Sequence, residues 1–328
     1  MRRPSPLALA TLTATLLFGA ACSDDSSEAD SATTEQASGT TLAAEASATT
    51  SAAEASATTS AAEASATTSA AEATPTKIIS LSPSLTETLF AVGAGDQVIA
   101  VDALSNYPAD APVTDLSGFE PNVEAIAQYE PDLVMVSDDL NNVVSGLLAL
   151  DIPVMHLPAA VTLDDTFAQI EQIGAATGHV ADAAAVVADM QTRIDDVLAT
   201  APDEELTYYH ELDSTLFSVT SKTFIGEVYS SFGLVNIADA ADTDGTGYPQ
   251  LSAEYLLEQD PALIFLADTK CCGESAATAA ARPGWSELTA VQNGGVIELD
   301  DDVASRWGPR VVELFEAIAA AIATVPVG

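Results

Sequence analysis

Two stretches of the chain repeat one arrangement of polar cap, apolar helical face and short apolar run. Asn122-Val-Glu-Ala-Ile-Ala-Gln-Tyr-Glu-Pro-Asp-Leu-Val-Met-Val-Ser-Asp138 lies over Ser252-Ala-Glu-Tyr-Leu-Leu-Glu-Gln-Asp-Pro-Ala-Leu-Ile-Phe-Leu-Ala-Asp268 without a gap. Asn122 and Ser252 are N-cap residues, whose side-chain oxygens accept from the first free amides of a helix. Glu124 and Glu254 fall in the first turn, where the helix dipole favours a carboxylate. Pro131 and Pro261 stop each helix. The apolar runs that follow, Leu133 to Val136 and Leu263 to Leu266, are too short for helices and rich in strand formers. A helix feeding a strand buried on both faces is the αβ step of a parallel sheet. Two such steps, 130 residues apart, predict two similar α/β lobes.

Similar patterning fills in the rest. Lys77–Leu81 reads as a strand that turns at Ser82-Pro83-Ser84. The Ser84 to Glu87 spacing predicts a capping box, with a helix running to about Val92 and ending at Gly93. Val98–Val101, Pro153–Leu157, Leu206–Leu212 and Gly295–Leu299 are further strands. Helices are expected near Asn141–Leu150, from Thr162 to Gly178, from Thr223 to Phe232 and from Pro309, with Pro at the first helical position. Asp300–Arg306 reads as a loop. Ala181–Thr200 breaks the alternation. It is Ala-rich, free of Gly and Pro, and carries Val186, Met190, Ile194 and Val197 at helical spacing. A rod of about 30 Å between two lobes reads as their connector. The expected organisation is a leader (1–21), a tether (22–76), a first lobe (77–180), the connecting helix (181–203) and a second lobe (204–328). The fold class is α/β, two Rossmann-like lobes joined by a single long α-helix.

Composition changes the picture at the N-terminus. Arg2 and Arg3 precede an apolar stretch, Leu7–Phe18, too short to span a membrane, and Gly19-Ala20-Ala21 stands before Cys22. This resembles a bacterial lipoprotein signal, which would lipidate Cys22 and anchor the exported protein to the outer face of the cytoplasmic membrane. Gly19 occupies a position where that signal usually has Leu, so ordinary secretion with a free Cys22 is the alternative. The nonapeptide Ala-Ala-Glu-Ala-Ser-Ala-Thr-Thr-Ser begins at Ala43, Ala52 and Ala61 and again at Ala70. With almost no large apolar side chain it cannot offset the entropy of ordering, and it reads as a tether. The formal net charge of −40 excludes a nucleic-acid partner, whose phosphates need a basic face.

Ile79-Ser-Leu-Ser-Pro-Ser-Leu-Thr-Glu87, Asn106-Tyr-Pro108, the two Glu-bearing repeats, Tyr248-Pro-Gln-Leu-Ser252, Arg282-Pro-Gly-Trp285 and Ser305-Arg-Trp-Gly-Pro-Arg310 together carry a resemblance. From Lys77 onward the chain resembles the substrate-binding proteins of ABC importers for ferric siderophores, haem or cobalamin, of bilobal periplasmic-binding-protein type. The resemblance implies a monomeric, non-enzymatic protein that passes a metal chelate to a permease dimer. It also implies that Glu124 and Glu254 dock onto permease Arg residues.

Ligands of doubly wound sheets bind beyond the carboxyl ends of the strands. That rule places Ser82, Pro83, Ser84, Tyr107, Ser137–Asp139 and Leu157–Pro158 at the cleft. Tyr248 stands before the second repeat as Tyr107 stands before the first, and Asp268 ends the second apolar run as Asp138 ends the first, so both are candidates in the second lobe. Arg306 and Trp307 join them from the loop before the last helix. Aromatics suit a broad chelate. Arg306 suits an anionic one, because guanidinium binds oxyanions bidentately, and this favours a ferric siderophore over cobalamin or haem. Arg310 reads equally as a structural partner of an Asp. The resemblance puts the Cys271-Cys272 loop at the cleft, where a vicinal disulfide shaping the rim is expected, with free thiols or intermolecular bridges as alternatives. His156 and His210 are candidates to border the cleft, and His179 to face water, but three such residues are too few to favour a bare-metal site. No cofactor is expected besides the lipid on Cys22. A tethered module binding a protein or glycan is the competing class of function.

Overall fold

Among the described residues, eight short strands form two separate four-stranded sheets, each wholly parallel. The computed structural model describes residues 74–201 and 205–325. The leader, Cys22 and nearly all of the tether lie outside the described residues. The first sheet contains β1 (Ile78–Ser80), β2 (Val98–Val101), β3 (Leu133–Val136) and β4 (Val154–His156), in the order β2-β1-β3-β4. The second contains β5 (Thr207–Glu211), β6 (Val235–Asn236), β7 (Leu263–Leu266) and β8 (Val296–Glu298), in the order β6-β5-β7-β8. The two orders are the same order displaced by four strands, as the repeat in the sequence requires.

The first lobe interleaves α1 (Pro83–Ala91), α2 (Val123–Ala127), α3 (Val143–Leu148) and α4 (Leu163–Thr177). Next comes α5 (Val180–Thr200). The second lobe adds α6 (Phe224–Ser230), α7 (Ala253–Gln259), α8 (Thr269–Cys272), α9 (Ala276–Ala280), α10 (Thr289–Asn293), α11 (Asp301–Ser305) and α12 (Val311–Thr324). Successive strand residues point to opposite faces, and the core divides accordingly. Ile78 joins a cluster on the inner face with Leu85, Met190, Tyr208, Phe265 and Phe315, and this cluster runs through both lobes. Ile79 faces outward with Val134, Ile126 and Leu147. In the second lobe Tyr209, Ile264, Leu256 and Trp285 form the matching outer cluster. The long helix α5 buries Ala183, Val187, Met190 and Ile194 at spacings of four, three and four, one apolar stripe. It packs against α4 on one side and α12 on the other. Burying side chains such as Met190 and Ile194 contributes roughly 1.5–3 kcal/mol each, so the connector is fixed along its length.

The caps of the repeat form as expected: Asn122 Oδ1 accepts from the Ala125 amide at 2.9 Å and Ser252 Oγ from the Tyr255 amide at 3.1 Å. Thr162 and Asp165 make a full capping box for α4. Three expectations are corrected. Ser82, not Ser84, is the N-cap of α1, because Pro83, which lacks an N–H and has its φ fixed, takes the first helical position. Asp300–Arg306 is not a loop. It contains α11, nucleated by Asp300, whose carboxylate accepts from the Asp302 and Val303 amides. The last helix begins at Val311 after an Arg310 cap, leaving Pro309 outside it. The repeat helices also end earlier than their prolines, through left-handed turns at Glu130 (φ 51°) and Asp260 (φ 43°).

Candidate functional site

Strand ends, a bend and α11 converge on a cavity of about 460 Å³. The end of β1 and the start of α1 supply Leu81, Ser82, Pro83 and Ser84, and the end of β3 supplies Ser137 and Asp138. Asp102 follows β2, and Leu104, Gly118 and Phe119 come from the irregular stretch between β2 and α2. The far wall is Asp302, Ser305, Arg306 and Trp307, from α11 and the turn after it. Gly118 is required here: a Cβ would collide with the Leu81 carbonyl oxygen. A second cavity of about 280 Å³ shares Ala159 with the first and lies between Ala160–Val161 of the first lobe and Lys222–Phe224 and Gly245–Tyr248 of the second.

Several expected residues therefore meet in one place: Ser82, Pro83, Ser84, Asp138, Arg306 and Trp307 line the main cavity. Tyr248 is half exposed on the adjoining one. Tyr107 does not reach the main cavity. Its ring lies under the Arg310 guanidinium, 4.2 Å from the centroid, on a separate cavity with Phe90 and Arg193. Asp268 does not line a cavity among those described and is fully buried. His210 is likewise buried, its Nδ1 2.8 Å from the Tyr229 hydroxyl, and burial pushes its pKa down to about 3. His156 is exposed at the end of β4, and His179 contacts Asp182. Cys271 and Cys272 are joined in a disulfide within α8, beside α11. Among the described residues no group of His, Cys, Asp and Glu gathers to hold a metal ion.

The electrostatics of the wall differ from the sequence expectation. Arg306 donates to Glu87 Oε1 (2.7 Å), Asp302 Oδ1 (2.6 Å), Asn106 Oδ1 (2.9 Å) and the Leu104 carbonyl (3.2 Å). Its charge is thus compensated twice before any ligand arrives. Burial raises the pKa of Glu87, against the hydrogen bond from Arg306 and the nearby charge of Arg310. Burial also raises Asp102. For Asp302 burial pulls upward, but the Lys270 ammonium and Arg306 outweigh it and hold the carboxyl below its ordinary value. The indole Nε1–H of Trp307 is buried with no acceptor among the described residues. Asp102, Asp302, Leu104 and Phe119 were not singled out as ligand contacts from the sequence. Asp102 was accessible to the strand-end rule, since it directly follows β2, whereas Asp302 became visible only once α11 had formed.

A family model for periplasmic binding proteins matches residues 78–303. The chain belongs to that family. An uncharacterized ABC transporter substrate-binding lipoprotein of Bacillus subtilis is 30% identical over 259 residues, which cover 76% of this chain and 80% of the relative. A cobalamin-binding protein of Halobacterium salinarum is 31% identical over 250 residues, covering 73% of this chain and 67% of the relative. The crystal structure of the periplasmic vitamin B12-binding protein of Vibrio cholerae superposes with a TM-score of 0.62 at 26% identity, covering 76% of this chain and 97% of that one. The resemblance and the fold class read from the sequence both hold. This family member is a solute-binding protein and not an enzyme.

Proposed function

We propose that the chain captures a corrinoid of the cobalamin type outside the cytoplasm and delivers it to the permease of an ABC importer. The observation that carries this reading is the neutralised Arg306. With Glu87 and Asp302 on its guanidinium, the cavity offers an anion no free cation, while Asp102, Asp138 and Asp302 line it. An anionic ferric siderophore would meet repulsion there. A corrinoid is broad and apolar over its ring, with amide N–H donors at its edge. Phe119, Leu104 and Trp307 suit the ring, and the carboxylates and Ser82 suit the amides. The cobalamin-binding relative adds weight. Ferric siderophores, favoured by the sequence through Arg306, rank second on the same grounds, and haem, with its two carboxylates, shares their difficulty.

In this reading Cys22 carries the lipid and the repeat segment is the tether, so the domain stays close to its permease. Glu124 and Glu254 are the docking residues. Titration of the purified protein with cyanocobalamin by calorimetry should give a Kd of about 1 µM or below, and Trp307→Ala should weaken it at least about tenfold. Tight binding of a ferric hydroxamate or of haemin, with none of cyanocobalamin, would overturn the corrinoid assignment.

A further inference from the structure

Helix α8 has four residues, too few to hold a helix by backbone hydrogen bonding alone. Two devices hold it. One is the ring closed by the Cys271–Cys272 disulfide, both of whose residues are exposed. The other is the Asp301 carboxylate. Its Oδ1 accepts from the amide and hydroxyl of Thr269, both at 2.8 Å, and its Oδ2 from the amides of Lys270 (2.9 Å) and Cys271 (2.8 Å). Lys270 Nζ then bridges Asp300 (2.6 Å) and Asp302 (3.1 Å). Asp302 holds Arg306, and both line the main cavity. A continuous chain of contacts therefore runs from the two sulfurs to the cavity wall, and α11 is its middle member.

We propose that Cys271–Cys272 is a thiol-exchange site that controls the order of this wall. A dithiol reductant, small or protein-borne, reacts there in two steps. Its thiolate attacks one exposed Sγ, the Cys–Cys bond breaks, and the departing cysteine thiolate takes up a proton. The reductant's second thiolate then attacks the mixed disulfide, freeing the other cysteine as its own sulfurs join. The reductant is oxidised by two electrons and the protein is reduced by two. Opening the ring returns torsional freedom to residues 271 and 272. The α8 amides then no longer sit preformed over Asp301, and Asp300, Asp301 and Asp302 lose donors together. The oxidised protein has the ordered wall and the reduced protein a loosened one. This inference holds for whichever chelate the cavity takes.

Hydrogen exchange on the full chain, oxidised and after treatment with dithiothreitol, tests it without a ligand. Reduction should speed exchange about tenfold at the amides of residues 269–271 and also across residues 302–307, with α4 unchanged. Thiol counting should show two thiols gained on reduction, and none gained in the Cys271→Ser, Cys272→Ser variant, whose exchange should match the reduced protein. Asp301→Asn, which leaves one acceptor oxygen for four donors, should loosen both segments while the disulfide is intact. Faster exchange confined to α8, or no change in either segment, would overturn the proposal. So would two free thiols at these positions in the protein as isolated from the cell surface.

Discussion

Asp268 lies just beyond β7, fully buried, and neither carboxylate oxygen has a hydrogen-bond partner among the described residues. Its neighbours explain this. Arg282 gives two hydrogen bonds of 2.6 Å to Glu211 and one of 2.9 Å to Glu274, leaving Asp268 beside two carboxylates that already share the one guanidinium. Burial first, then the charges of Glu211 and Glu274, push its pKa up to about 7, against the opposing pull of Arg282. A raised carboxyl pKa means that the folded state binds the proton more tightly than the unfolded one. The contribution to stability is therefore complete below the ordinary value of 3.8 and is lost as pH rises through about 7. Denaturant titrations should show this part of the stability falling by about 1–2 kcal/mol between pH 4 and pH 7.5, allowing for water near the network. Asp268→Asn should flatten the profile in that window, and an unchanged profile would show that Asp268 is ionised throughout. The sequence marked Asp268 as a strand-end acid but could not place it inside a network with Glu211 and Arg282, residues 57 and 14 positions away. Arg306 was misjudged in the same way: its two carboxylate partners come from different lobes of the sequence.

Helices α4 and α5 meet at a tight corner. Gly178 ends α4 in the left-handed region (φ 81°), His179 caps α5, and the His179 amide donates back to the Gly174 carbonyl at 2.7 Å. A side chain at Gly174 would run into the Ala183 methyl group, so the crossing depends on a residue without one. Gly174→Val should cost roughly 1–3 kcal/mol by overpacking, read as a lowered thermal midpoint, and Gly174→Ala should cost less. A midpoint unaffected by valine would mean that α4 and α5 are not in contact there. The long helix itself was legible because its apolar stripe is uninterrupted and no Gly or Pro intrudes. The short elements were not. Helices α8, α9 and α10 have four or five residues each and no resolvable periodicity, and β6 has two residues. Such pieces exist because tertiary contacts hold them, as Asp301 holds α8, and a local pattern cannot announce that.

At the scale of the molecule, the repeat turns a local observation into a geometric one. In each sheet the helix before the third strand starts on the side where strands end, so α2 and α7 present their first turns at the end of the sheet that carries the cavity. Glu124 and Glu254 occupy equivalent first-turn positions there, and both are exposed. Two equivalent carboxylates, one on each lobe, suit a permease dimer with one matching Arg on each half. A permease so engaged would lie over the mouth of the cleft, where the ligand must leave. If the two residues served only the helix dipole, removing them would cost roughly 0.3–1 kcal/mol each and nothing more. If they dock, Glu124→Ala with Glu254→Ala should leave cyanocobalamin affinity within about twofold, since neither residue lines the main cavity or the adjoining one, and should abolish uptake in cells. Reversal of both to Arg should be worse than Ala, because like charges then oppose across the contact, and permease variants carrying Glu at the facing Arg positions should restore part of the transport. Each single Ala variant should retain partial uptake, since the other lobe still engages its half of the dimer. Wild-type uptake by the double Ala protein would leave the two carboxylates as helix-end charges, and would require some other surface to bring the lobes to the permease.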